Sequence, residues 1–260
     1  MRLLRTPAGV DIEYLVTGAG DPVTVFAHGL GSSIPETRPL GSAVPGTKVF
    51  LHFRGHGGSA TPAGRWTYAD LAADLRAVAD EMGAGQALGV SMGAAALTRL
   101  LADTPHRFDR LVFFLPAVID RLRGAQTLTR LAALADAVTS GDSAALEREV
   151  RRELPERIRD QPAAVDYVRQ RAASLGADGV ARALLATPGL VAVPDRATLR
   201  HVGAPALVIA AEGDPLHPVP VARELAEALP HADLHVYPEP AVLWTARADL
   251  RRRISTFLGG

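Results

Sequence analysis

Cysteine is absent from the 260 residues, which excludes disulfides and thiolate chemistry. No sign of charge predominates either: Lys plus Arg and Asp plus Glu number 28 each, so nothing in the net charge draws the chain to nucleic acid or to a membrane surface. The basic residues are scattered, apart from a mixed-charge stretch at 147–159 and Arg251-Arg252-Arg253, both of which read as solvated helix faces. No apolar run approaches the ~18 residues that a bilayer crossing needs, and Met1-Arg2-Leu3-Leu4-Arg5 lacks the apolar core of a signal peptide. Repeats and low-complexity segments are missing too. These absences lead us to expect a cytoplasmic protein with no nucleic-acid or membrane partner, and no motif calls for a metal or a cofactor. What remains is 48% hydrophobic residues, enough to bury the core of one large domain carrying an insertion. The Gly, Ala and Arg bias fits a high-GC bacterial genome.

The most informative stretch is Gly89-Val90-Ser91-Met92-Gly93. An apolar run, Gln86 to Val90, fits a buried strand before it, and Met92 to Ala102 has the Ala and Leu content of a helix after it. A serine at so sharp a strand-to-helix turn is held in a cramped backbone conformation that only flanking glycines leave room for. Its Oγ then stands clear of the sheet, and the N–H of Met92 lies at a helix N-terminus where it can face an oxyanion. Taken alone, the motif also fits a plain strand–turn–helix connection with an incidental serine.

Alternation predicts strands over Val10 to Thr17 and Val23 to His28, joined by a hairpin-like turn at Gly18-Ala19-Gly20-Asp21-Pro22. His28-Gly29-Leu30-Gly31-Ser32 follows, and its glycines let the backbone approach a ligand, with the Leu30 N–H as the second oxyanion donor beside Met92. His28 reads as structural support for this loop. Lys48 to Phe53 reads as a strand running into Arg54-Gly55-His56-Gly57-Gly58-Ser59, a tight turn without the ending of a phosphate cradle. Leu71, Leu75, Val78 and Met82 recur at helical spacing. Beyond the strand Arg110 to Leu115, residues 117–200 hold only helical segments broken by Gly and Pro, as in a cap inserted into a core of 1–116 and 201–260. Alternation then resumes with strands at Ala206 to Ala211 and Asp233 to Tyr237, and helices at Val219 to Leu229 and Thr245 to Leu258. The pattern predicts an α/β fold with a mostly parallel sheet covered on both faces.

The order of His28-Gly29, Arg54-Gly55-His56-Gly57-Gly58-Ser59, Tyr68-Ala69-Asp70-Leu71, Gly89-Val90-Ser91-Met92-Gly93 and Glu212-Gly213-Asp214-Pro215-Leu216-His217-Pro218 resembles the α/β-hydrolase family with a helical cap. The resemblance covers all but the cap. It implies an eight-stranded, mostly parallel sheet and a triad in the chain order Ser, acid, His. Ser91 takes the nucleophile position and Asp214 the acid position. A Rossmann-type nucleotide binder, the rival on fold grounds, lacks its Gly-rich fingerprint after an early strand.

The third member departs from the family pattern. Where Gly-His is expected after the last strand, this chain has Ala241-Val242, and no histidine follows residue 235. Among the other histidines, His231 belongs at the far end of the sheet, His235 lies within a strand, His106 and His201 read as surface residues, and His52 and His56 as strand or turn residues. His217 shares the loop of Asp214 and is the remaining candidate base. Asp-Pro-Leu-His-Pro, however, resembles segments of family members that keep the usual histidine, so Val242 reads first as a lost base, with Asp214 left to find another donor.

Three functions follow from an incomplete triad. The first is an enzyme acting on a small carbonyl substrate (ester, thioester or lactone) with impaired or non-standard hydrolysis. The second is a non-hydrolytic lyase, cyclase or ligand-binding protein using the same pocket. The third is an ordinary hydrolase in which Val242 was substituted for histidine, against which the double departure at 241 and 242 argues.

Overall fold

The computed structural model describes residues 1–260. The chain runs β1 (Arg2–Arg5), β2 (Asp11–Thr17), β3 (Val23–Ala27), α1 (Ile34–Gly41), β4 (Thr47–Leu51), α2 (Tyr68–Glu81), β5 (Gln86–Val90), α3 (Met92–Asp103) and β6 (Arg110–Phe114). Next come α4 (Ala125–Ser140), α5 (Ser143–Arg151), α6 (Pro162–Leu175) and α7 (Asp178–Ala186), and then β7 (Ala206–Ala211), α8 (Val219–Ala228), β8 (Ala232–Tyr237), α9 (Val242–Thr245) and α10 (Arg247–Gly259). The strands form one sheet in the order β1-β2-β4-β3-β5-β6-β7-β8. From β4 to β8 every pairing is parallel, whereas β2 is antiparallel to β1 and β4.

Successive strand residues point to opposite faces, so each central strand feeds two cores. Val25 and Ala27 of β3 join Val208 and Ala210 of β7 under α2, α3 and α8. Phe26 and Phe50, stacked at 4.6 Å between centroids, join Ile209 and the α10 residues Leu250, Ile254 and Leu258 on the other face. Burial on both faces is why these strands read as unbroken apolar runs. The sequence places α2 well because its start is specified locally: Thr67 and Asp70 form a reciprocal capping box.

Two expectations need correction. β2 and β3 do not form a hairpin; β2 pairs with β4, Tyr14 opposite Leu51, because β3 is buried between β4 and β5. The insertion is narrower than 117–200. Its neck closes where Ala192 and Val193 N–H donate to the Ile119 carbonyl (2.7 and 3.1 Å), and a 3-10 turn at Arg196–His201 packs on α3 and α8 of the core. Arg196 fixes this neck through Asp120 (2.6 Å) and Glu224 (2.8 Å). β1 and α1 carry no strong periodicity that would mark them in the sequence. The cap helices α4 to α7 share a separate apolar core that includes Leu134, Val150, Val168 and Leu184. No helix is long and apolar enough to cross a membrane.

Candidate active site

The loops after β3, β5 and β7 converge at the carboxyl edge of the parallel sheet, where ligands bind in open α/β folds. Ser91 follows β5 with φ 49° and ψ −104°, a strained conformation for a residue bearing a Cβ. The two glycines of the motif are required by space. A Cβ on Gly89 would lie 2.5 Å from the Gly93 carbonyl oxygen, and one on Gly93 would lie 2.4 Å from that of Ala27. Strand, helix and the end of β3 are thereby pressed together, and Ser91 is forced outward.

His217 lies between the other two polar residues. Its Nε2 is 2.9 Å from Ser91 Oγ and its Nδ1 2.9 Å from Asp214 Oδ2. A carboxylate only accepts, so Nδ1 carries the proton and the Nε2 lone pair faces the serine hydroxyl. The second Asp214 oxygen accepts from the N–H groups of Leu216 (2.9 Å) and His217 (3.2 Å). Asp214 thus shapes the turn and orients the imidazole that the turn carries. Burial pushes the Asp214 carboxyl up, but the His217 imidazole and the two N–H donors outweigh it and hold the group below the usual carboxylate range.

The expectation that Asp214 lacks an imidazole partner is therefore corrected. Val242 is buried in the apolar cluster of Phe114, Ile209 and Ala211 and forms part of the pocket wall. Ala241 keeps the left-handed conformation (φ 55°, ψ 47°) that suits the glycine expected there. The family pattern located a histidine by its place in the chain. The turn at Asp214 instead brings another one to the same two groups. The remaining histidines stay away: His106, His201 and His231 are exposed, and His235 lies against the Tyr237 ring on β8.

Both proposed oxyanion donors border the pocket. Met92 opens α3, so its N–H has no acceptor in its own helix, and the Leu30 N–H takes part in none of the loop's backbone hydrogen bonds. The loop lies against Ser91 at Gly29, where a Cβ would come within 3.4 Å of Ser91 Cβ. Three histidines hold this loop from behind. Phe53 N–H donates to His28 Nε2 (3.0 Å), Gly31 N–H to His56 Nε2 (3.1 Å) and Ile34 N–H to His52 Nε2 (2.9 Å). Burial pushes His28 well below its usual range and His56 down to about 4, so both are neutral acceptors. His56 and His52, which the sequence marks only as turn or strand residues, accept from the loop much as His28 accepts from Phe53. The segment itself is fixed by Arg54, whose guanidinium pairs bidentately with buried Asp74 (2.7 and 2.8 Å).

The cap grips both loops. Thr127 Oγ1 of α4 donates to the Pro215 carbonyl (2.8 Å) and Ser174 Oγ of α6 to the Gly31 carbonyl (2.8 Å). No sequence signal singles these residues out within a helix-rich insertion. Between cap and core lies a cavity of about 400 Å³, within the range of small-molecule sites. Its walls are mostly apolar around Leu131, Leu184 and Trp244, with a polar group near α6.

The fold agrees with that of known proteins. The family profile described as the alpha/beta hydrolase fold matches residues 22–241. The chain is 28% identical over 238 residues to 3-oxoadipate enol-lactonase 2 of Acinetobacter baylyi, covering 89% of this chain and 86% of that one. Among solved structures, the enol-lactonase from Burkholderia xenovorans superposes with a TM-score of 0.83 at 21% identity over the whole of both chains. An esterase from Exiguobacterium antarcticum superposes with a TM-score of 0.82 at 17% identity, covering 99% of each. With its sheet order, its serine turn and a profile match spanning most of its length, the chain belongs to the α/β-hydrolase fold family.

Proposed function

We propose that this protein hydrolyses a small ester or lactone through Ser91, His217 and Asp214, with both members of the acid–base pair supplied by the loop after β7. The observation that carries the reading is the imidazole of His217, 2.9 Å from Ser91 Oγ on one side and 2.9 Å from Asp214 on the other. Nε2 takes the hydroxyl proton as Oγ attacks the substrate carbonyl, and Asp214 stabilises the resulting imidazolium. Negative charge on the carbonyl oxygen is met by the N–H groups of Leu30 and Met92. The protonated Nε2 then gives its proton to the departing alkoxide, which in a lactone stays tethered as the ring opens. Water attacks the acyl-serine by the same route, with His217 again as base. The cap covers this chemistry, and the cavity volume of about 400 Å³ suits a small substrate. Similarity to an enol-lactonase supports a cyclic ester among the candidates.

The test is turnover of 4-nitrophenyl butyrate and of a simple five-membered enol lactone by wild type, Ser91→Ala, His217→Ala and Asp214→Asn. Wild type should hydrolyse at least one of them, and loss of Ser91 or His217 should lower kcat by roughly 10³-fold or more. Full activity in His217→Ala would overturn the assignment of the base.

A further inference from the structure

The polar end of the cavity contains buried atoms that nothing in the protein satisfies. Arg171 Nε and Nη1, Glu153 Oε1 and Glu36 Oε2 are all shut off from solvent without a hydrogen-bond partner, and all three residues line the same cavity as Ser91. The nearest approach among their charges, Arg171 Nε to Glu153 Oε2 at 3.9 Å, is too long for a hydrogen bond. Tyr167 OH reaches Glu153 Oε2 at 3.4 Å and leaves Oε1 free. This cluster lies beside the oxyanion loop. A Cβ on Gly31 would be 3.2 Å from Arg171 Nη1, and Gly31 stands next to Leu30.

Buried polar atoms are paired in nearly every native structure, and exceptions call for an account. Here the unmet atoms are two donors on one guanidinium and two acceptors on carboxyl groups. An apolar acyl chain would leave all four unmet. A substrate carboxylate would satisfy Arg171 but bring its charge against Glu36 and Glu153, the two carboxyl groups already beside that one guanidinium. A group that both accepts and donates, without net charge, answers both halves of the cluster. Resting on the hydrolase reading above, we infer that the substrate carries an uncharged hydrogen-bonding group, an amide or a hydroxyl, which Arg171, Glu153 and Glu36 bind beside the scissile carbonyl. Arg171 donates to its oxygen, and a carboxyl oxygen accepts its N–H or O–H. The cluster selects the substrate and takes no part in bond breaking.

Three 4-nitrophenyl esters of similar length separate the possibilities: the N-acetyl-β-alanine ester, the hexanoate and the glutarate half-ester. In wild type, kcat/KM for the N-acetyl-β-alanine ester should exceed both others by roughly tenfold. Arg171→Met should abolish that preference, Arg171→Lys should keep part of it, and Glu153→Gln should weaken it if Arg171→Met does not fold. A wild-type preference for the hexanoate or the glutarate half-ester overturns the inference, as does an equal loss on all three esters in Arg171→Met and in Glu153→Gln. Calorimetric titration with N-acetyl-β-alaninamide, which has no ester, separates this from the hydrolase reading. Binding should persist in Ser91→Ala and fall at least about tenfold in Arg171→Met or Glu153→Gln. Such binding in a protein that turns over no ester sinks the hydrolase reading alone; brisk hydrolysis with no such binding sinks the inference alone.

Discussion

Asp214 and His217 are three residues apart on one loop, and a 2.9 Å hydrogen bond joins their side chains. Both side chains are therefore set by a single turn, with Asp214 Oδ1 bonded to the N–H groups of Leu216 and His217. The loop after β8 carries no histidine, and Val242 there is buried in an apolar cluster.

Restoring a histidine at the expected position should consequently give no gain. Val242→His in an otherwise wild-type chain should leave ester turnover level or lower it, because His217 already serves Ser91 and a polar ring enters an apolar cluster. In His217→Ala, by contrast, adding Val242→His should recover activity on the order of tenfold, since residue 242 borders the same pocket. Steady-state kinetics of the two single variants and the double variant decide this; a large gain from Val242→His alone would show that His217 is not the working base.

Ala241 has φ 55°, where a Cβ is costly. Ala241→Gly should raise the unfolding free energy by about 0.5–1 kcal/mol, the relief of backbone strain exceeding the added freedom of the unfolded chain. Urea denaturation reads the change directly, and a destabilised variant would mean that the Ala241 methyl packs too well to lose.

The loop histidines predict how stability varies with pH. In the unfolded chain His56 titrates near its ordinary value of 6.5, but in the folded protein only at about 4, so between these values the unfolded state binds the extra proton. Stability is complete above about pH 6.5 and falls as the pH drops toward about 4. His28, pushed down well below its usual range, acts in the same sense. Urea midpoints at pH 7.5 and pH 5 should fall accordingly, and the fall should be smaller in His56→Gln, whatever that variant's stability at pH 7.5. An equal fall in both proteins would place the effect elsewhere.

Thr127 tests how the cap positions the base. Thr127→Val keeps the shape of the side chain but leaves the Pro215 carbonyl without its partner, a loss of about 1–3 kcal/mol if the site stays buried. Because Pro215 lies between Asp214 and His217, kcat should fall several-fold with KM little changed. A change confined to KM would mean that the bond shapes the pocket and does not hold the base.

Much of this protein was determined by local sequence. The β/α alternation, the capping box at Thr67 and Asp70, and the glycines around Ser91 act over a few residues, through periodicity, hydrogen bonding to the nearest turn and lack of space for a Cβ. They established the sheet and the strained turn that carries Ser91. Two features depended on groups far apart in the chain. The partner of β2 was decided by which strand edge remained free, β4 and not β3. The imidazole beside Ser91 was decided by reach: 126 positions separate His217 from Ser91, and only the parallel order of β5, β6 and β7 brings the two loops to one edge. Sequence spacing records which residues exist, whereas the distance between side chains on different strands is a property of the folded sheet. The same holds for Arg171, Glu153 and Glu36, three ordinary charges in the chain that become an unsatisfied cluster only when the cap closes over the core.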